Sequence, residues 1–163
     1  MKPSTTDSGS KVMFNERRTI LHVDDDISIT RAVAAKLKGR DIDVISINDP
    51  LQVLPLLVGR DIRVVLMDID MPGINGLELL RKIKAYDGGI QVIMLTGLVS
   101  MNTVLDSMRG GAEACIFKPI SDYHPMLEAL NAAFAKYDRW WSYLEELHDR
   151  RRLLDEPLVP AVK

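Results

Sequence analysis

The sequence predicts an α/β domain built on a parallel sheet with helices on both faces. Three observations carry that reading. Short apolar runs alternate with longer segments of helical spacing, as repeated βα units require. The run Val64-Val65-Leu66-Met67 shows no polar alternation, the mark of a strand covered on both sides. Turn and cap residues (Gly39, Asp49-Pro50, Gly88-Gly89, Gly110-Gly111) fall where one pattern gives way to the next.

Taken in order, Thr19 to Val23 reads as a first strand, and a helix from about Ile27 to Lys38 is closed by Gly39. Val44 to Ile47 is a second strand. Asp49-Pro50 then opens a second helix as cap and first residue, with Pro55 set to shorten or kink it. Arg63 to Asp68 is the third strand. The helix over Gly76 to Tyr86 has an apolar face at Leu77, Leu80 and Ile83, extended by Lys84, and Gln91 to Thr96 is strand four. Val99 to Arg109 is a fourth helix and Ala114 to Phe117 a fifth strand. Pro125 suits a first helical turn, and nothing breaks the helix before about Leu154.

Composition bounds the function. A chain of 163 residues, 47% apolar, suits one domain with extensions. Its formal net charge of −2 argues against bulk attraction to nucleic acid or a membrane surface, so neither partner is expected. The lone Cys115 fits a reducing compartment. With no apolar run near 18 residues and no signal-like start, a cytoplasmic protein is the expectation. Residues 1–16 read as a flexible tail, 17–137 as the folded domain, 138–156 as a helical extension and 157–163 as a disordered terminus.

The chemistry lies at the strand ends. Strand one ends in Asp24-Asp25-Asp26, strand three in Asp68, strand four in Thr96-Gly97 and strand five in Lys118-Pro119, all at one edge of the sheet. That edge is where open α/β sheets bind their ligands. Each residue also has a plainer reading: an aspartate capping a helix, a threonine in a turn, a solvated lysine. Together, crowded carboxylates make sense if a cation and an ammonium hold them ionised, and hard oxygen ligands suit Mg²⁺.

Val23-Asp24-Asp25-Asp26, Met67-Asp68-Ile69-Asp70-Met71-Pro72-Gly73, Met94-Leu95-Thr96-Gly97, Gly111-Ala112 and Phe117-Lys118-Pro119-Ile120 resemble the receiver domain of two-component response regulators. The resemblance implies a flavodoxin-like, doubly wound five-stranded sheet of order 2-1-3-4-5 with five helices, the last one extended here. It makes Asp68 the phospho-acceptor, supplied by a sensor histidine kinase or a phosphotransfer protein. Asp24 and Asp25 would bind Mg²⁺ with Asp68 and the backbone carbonyl of Asp70. Thr96 and Lys118 would contact the phosphoryl group, and the Lys118-Pro119 peptide would be cis. The chain would be a switch, an enzyme only in the phosphorylation and dephosphorylation of its own aspartate.

Departures stand beside the matches. Cys115 occupies the place, three residues before the lysine, where the family usually has an aromatic; it reads as a small core residue. His22 reads as a hydrogen-bonded strand residue, not a ligand. Leu98, two positions past Thr96, brings an apolar group near the expected phosphoryl site and, with Asp70, is a candidate for tuning the aspartyl-phosphate lifetime.

The last helix is too long for the sheet. At 1.5 Å per residue its ~30 residues would run ~45 Å, against ~17 to 20 Å for a strand. Leu127, Leu130, Phe134, Tyr137, Trp141 and Leu144 step by three and four. The overhanging Trp140, Trp141, Leu144 and Leu147 are offered to a homodimer or a downstream protein. Burying four such side chains yields on the order of 6 to 12 kcal/mol, and a micromolar dimer needs about 8. Arg150-Arg151-Arg152 reads as a solvated helix end, with no room after it for a DNA-binding output domain. Two other readings are a receiver-shaped interaction module without phosphorylation and, from Asp68-Ile69-Asp70, a haloacid-dehalogenase-like phosphatase.

Overall fold

A computed structural model of the chain describes residues 18–97 and 100–154. Strands β1 (Arg18–Val23), β2 (Ile42–Ile47), β3 (Val64–Asp68), β4 (Gln91–Thr96) and β5 (Ala114–Phe117) form one parallel sheet in the order β2-β1-β3-β4-β5. Helices α1 (Ile27–Leu37), α2 (Val53–Gly59), α3 (Gly76–Tyr86), α4 (Met101–Arg109) and α5 (His124–Leu154) make the crossovers and the close of the domain. This is the flavodoxin-like, doubly wound fold that the sequence implies. The expected tail over 1–16, the terminus over 157–163 and Leu98 lie outside the described residues.

Every residue of β3 and β4 is buried, in keeping with strands covered on both faces. On one face Leu21, Val23, Val65, Met67, Val92 and Met94 pack with residues of α2 and α3. On the other Ile20, Val64, Leu66, Ile93 and Leu95 pack with Val33 and Leu37 of α1 and with α5.

Local chemistry explains the ends. Asp26 caps α1 and Asn75 caps α3, each side chain accepting a backbone N–H two residues on, at 2.8 Å. Strand β2 begins two residues earlier than expected, just after Asp41 at a φ of 58° and Gly39 at 81° turn the chain. Pro50 starts a 3₁₀ turn over Pro50–Gln52, and α2 follows. Pro55 then sits in the first turn of α2, where a missing N–H loses no intrahelical bond.

Helix α5 runs the length of the sheet and beyond it. Met126, Leu130, Ala133 and Phe134 are buried against the sheet, two of them (Met126 and Ala133) outside the stripe expected from sequence. Arg18 and Arg63, from the N-terminal edge of the sheet, stack their guanidinium groups on Phe134 and Tyr137 at 5.2 and 5.6 Å. Past that clamp the side chains emerge: Trp140 is 62% exposed and Leu144 55%.

Candidate functional site

Strand register builds the site. Val23 pairs with Met67, so Asp24 and Asp68 leave adjacent strands side by side, about 4.8 Å apart in the pairing direction. Leu95 pairs with Asp68, and Thr96 with Phe117, which sets Thr96 and Lys118 at the same edge.

The side chains meet there. Carboxylate oxygens of Asp24, Asp25 and Asp68 all lie within 4.8 Å of one another. Lys118 Nζ donates to Asp24 Oδ2 at 3.1 Å and stands 2.8 Å from Asp68 Oδ1. The Lys118-Pro119 peptide is cis, as expected. Asp24 and Asp68 are buried, whereas Asp25 is exposed at the mouth.

The electrostatics follow from that burial. Loss of solvent pushes the Asp68 carboxyl above the usual carboxylate range, Lys118 pulls it back in part, and Asp24 adds to the rise. Burial works against the Lys118 ammonium, but bonds to Asp68 and Asp24 outweigh it, and the lysine is raised above its ordinary value. One ammonium thus faces two buried carboxylates, with a third at the rim. Two ligands on opposite sides of Mg²⁺ are about 4.2 Å apart, so this donor set fits such an ion after small adjustments.

Backbone contacts hold the acids in place. Asp24 Oδ1 accepts the Asp26 N–H at 2.9 Å, and the Asp24 carbonyl accepts from Asn48 Nδ2 at 2.7 Å. Gly76, at the start of α3, packs so tightly on β3 that a Cβ there would strike the Asp68 carbonyl and come within 2.7 Å of Ile69 Cα. Neither Asn48 nor Gly76 was visible as a site residue: a lone Asn after a strand and a lone Gly before a helix are ordinary loop signals.

The remaining candidates are placed as follows. The Asp triplet divides its work: Asp24 and Asp25 face the cluster, while Asp26 caps α1, and its bonds with Ser28 hold its carboxyl below the usual range. Thr96 is fully buried, and its carbonyl accepts the Lys118 N–H at 2.8 Å. Asp70 is exposed in the loop between β3 and α3. Cys115 is half-buried against the α2/α3 face. His22 corrects an expectation: it is wholly buried, yet among the described residues neither ring nitrogen has a hydrogen-bond partner. Its neighbours in the sheet offer backbone already used in pairing, and burial followed by the Lys118 charge lowers it to about 4, a neutral imidazole.

Residues 20–131 match the family described as Response regulator receiver domain. The transcriptional regulatory protein ZraR of Klebsiella oxytoca is 33% identical over 123 residues, 76% of this chain and 28% of that protein. The DNA-binding response regulator MtrA of Mycobacterium tuberculosis (strain ATCC 25618 / H37Rv) is 35% identical over 109 residues, 66% of this chain and 46% of that one. The chain therefore spans less than half the length of these curated relatives. Among solved structures, a response regulator receiver domain protein (CheY-like) from Methanospirillum hungatei JF-1 is similar at a TM-score of 0.70 and 28% identity, covering 75% of this chain and 97% of that one.

Proposed function

Because the chain belongs to the response regulator receiver domain family of two-component signalling, we propose that it accepts a phosphoryl group on Asp68 and relays that state to a partner. The observation that carries this reading is the convergence of three carboxylates and one ammonium on a single strand edge. The donor would be the phosphohistidine of a sensor kinase or of a phosphotransfer protein, in the cytoplasm.

Asp68 is the nucleophile in this reading. Its carboxylate oxygen attacks phosphorus while the leaving nitrogen departs on the far side. Lys118 neutralises charge on the transferred group, and the Thr96 hydroxyl contacts it. Asp24, Asp25, Asp68 and the Asp70 carbonyl would hold Mg²⁺, which supplies positive charge to the phosphoryl oxygens when bound. The raised carboxyl of Asp68 fits this role, since a carboxylate short of counter-charge is ready for a cation. Phosphorylation adds about one negative charge and strong acceptor oxygens beside Thr96, where the chain leaves β4 toward α4. That loop is the natural carrier of the switch. The division into a receiver body over 17–137 and a helical extension over 138–156 belongs to the same reading, supported by the exposed aromatics after Tyr137. The phosphatase alternative loses ground because Asp68 ends the third strand and not the first.

The test is direct. Incubation with a small phosphodonor and Mg²⁺ is expected to add one HPO₃ to the intact mass, and Asp68→Asn should abolish the gain. No gain in wild type would leave a receiver-shaped interaction module.

A further inference from the structure

The stripe that docks α5 on the sheet does not end where the sheet ends. Met126, Leu130, Ala133, Tyr137, Trp140, Leu144 and Leu147 follow one another in steps of four and three, an unbroken heptad seam. Its first three members are fully buried against the domain. Trp140, Leu144 and Leu147 continue it while 62%, 55% and 46% exposed, flanked by Trp141 at 40% and Tyr143 at 51%. We propose that a second copy of this chain covers the seam, its α5 packed antiparallel against the first.

Area favours a full-size partner. Three aromatic side chains of ~150 to 250 Å² each, at those exposures, and the two leucines present roughly 350 to 500 Å² of apolar surface. A stable homodimer buries about 800 Å² per partner, about 65% of it apolar, or roughly 500 Å². The match is close, and the patch is about the size of the largest that a monomer typically leaves uncovered.

Charge selects a like partner and its direction. Over Asp138 to Arg152, Asp138, Glu145, Glu146 and Asp149 balance Arg139 and the three arginines at 150–152, so two copies do not repel. Arg151 falls on the seam itself, one step beyond Leu147. In a parallel pair it would meet Arg151 of the second copy. Antiparallel packing about the midpoint between Glu145 and Glu146 sets Leu144 opposite Leu147, and Arg151 opposite the face of Trp140, a favourable cation–π contact. Arg150 then lies near Tyr143 and Arg152 near Asp138. The extension leaves past Arg18 and Arg63, at the edge of the sheet opposite Asp68, so the pairing does not depend on phosphorylation.

The test is light scattering on the full chain from about 1 to 100 μM. A dimer is expected for wild type and equally for Asp68→Asn, which separates this claim from the phosphorylation reading. Leu144→Glu/Leu147→Glu changes exposed positions only, so its far-ultraviolet circular dichroism should be unaltered while dissociation rises at least ~100-fold. In a Cys115→Ser background, Trp140→Cys/Arg151→Cys should oxidise to a covalent dimer and Arg151→Cys alone should not, its two sulfurs lying ~16 Å apart along the helices. A wild-type monomer at 100 μM, handing the seam to a different protein or to residues beyond those described, would overturn the proposal. So would a dimer indifferent to Leu144→Glu/Leu147→Glu, or a ready disulfide from Arg151→Cys alone.

Discussion

Two buried residues show what the site costs the fold. Asp68 is held ionised chiefly by Lys118, and His22, two residues before Asp24, sits uncharged with no hydrogen bond at either nitrogen among the described residues. Removing the ammonium leaves two buried carboxylates facing each other. Lys118→Met is therefore expected to lose about 3 kcal/mol of stability at neutral pH, measured by urea unfolding. Because the Asp68 carboxyl is already raised, that deficit should shrink in acid, where folded Asp68 takes up a proton. His22 carries the opposite sign. Its folded imidazole titrates near 4 against 6.5 when unfolded, so its contribution is complete above pH 6.5 and is lost as pH falls toward 4. His22→Leu should remove that loss, a difference of about 3 kcal/mol at the acid end. It should also stabilise the neutral protein by about 1 to 2 kcal/mol, because an unpaired buried polar group is replaced by an apolar one. A variant with the wild-type pH profile would contradict the account of His22.

At the scale of elements, the site depends on how each strand hands over to its helix. Gly76 brings the start of α3 onto the end of β3, its N–H donating to Ile69 at 2.8 Å. Gly76→Ala must push the Asp68 carbonyl aside. An expected loss of about 2 kcal/mol should come with slower phosphoryl incorporation if Asp68 is the acceptor proposed above, since its own backbone is displaced. Unchanged incorporation at lowered stability would show that α3 supports the fold without positioning Asp68. The cap of α1 behaves differently: Asp26→Ala should cost about 1 kcal/mol and leave incorporation nearly intact, because Asp26 faces Ser28 and not the cluster. Legibility follows the same line. Asp24, Asp25, Asp68 and Lys118 could be read because each ends an apolar run, and strand ends share one edge. The division of the Asp triplet, the support from Asn48 and the pressure of Gly76 on β3 depend on distances between segments, which no local pattern encodes. His22 was misread for a related reason: a polar residue in a strand is satisfied only if a neighbour across the sheet has a free group to offer.

For the whole molecule, two ends of one sheet do two jobs. The C-terminal edge gathers acids and an ammonium, and the N-terminal edge clamps α5 through Arg18 and Arg63 before the helix departs. Sheet order and the excess length of α5 were both legible, the first only through the family resemblance that the strand-end motifs carry and the second from arithmetic on helix rise. Which residues dock α5 was less so: Met126 and Ala133 are buried because the helix presents that side to β3, β4 and β5, a rotation that a stripe of larger residues conceals. The central claim is that acids far apart in sequence, at the ends of the adjacent strands β1 and β3, form one cation site. Calorimetric titration with Mg²⁺ tests it most directly. The account predicts one ion per chain and at least tenfold weaker binding in Asp25→Asn, whose exposed side chain can change without disturbing the core; no heat of binding in wild type, or an unaltered affinity in that variant, would contradict it.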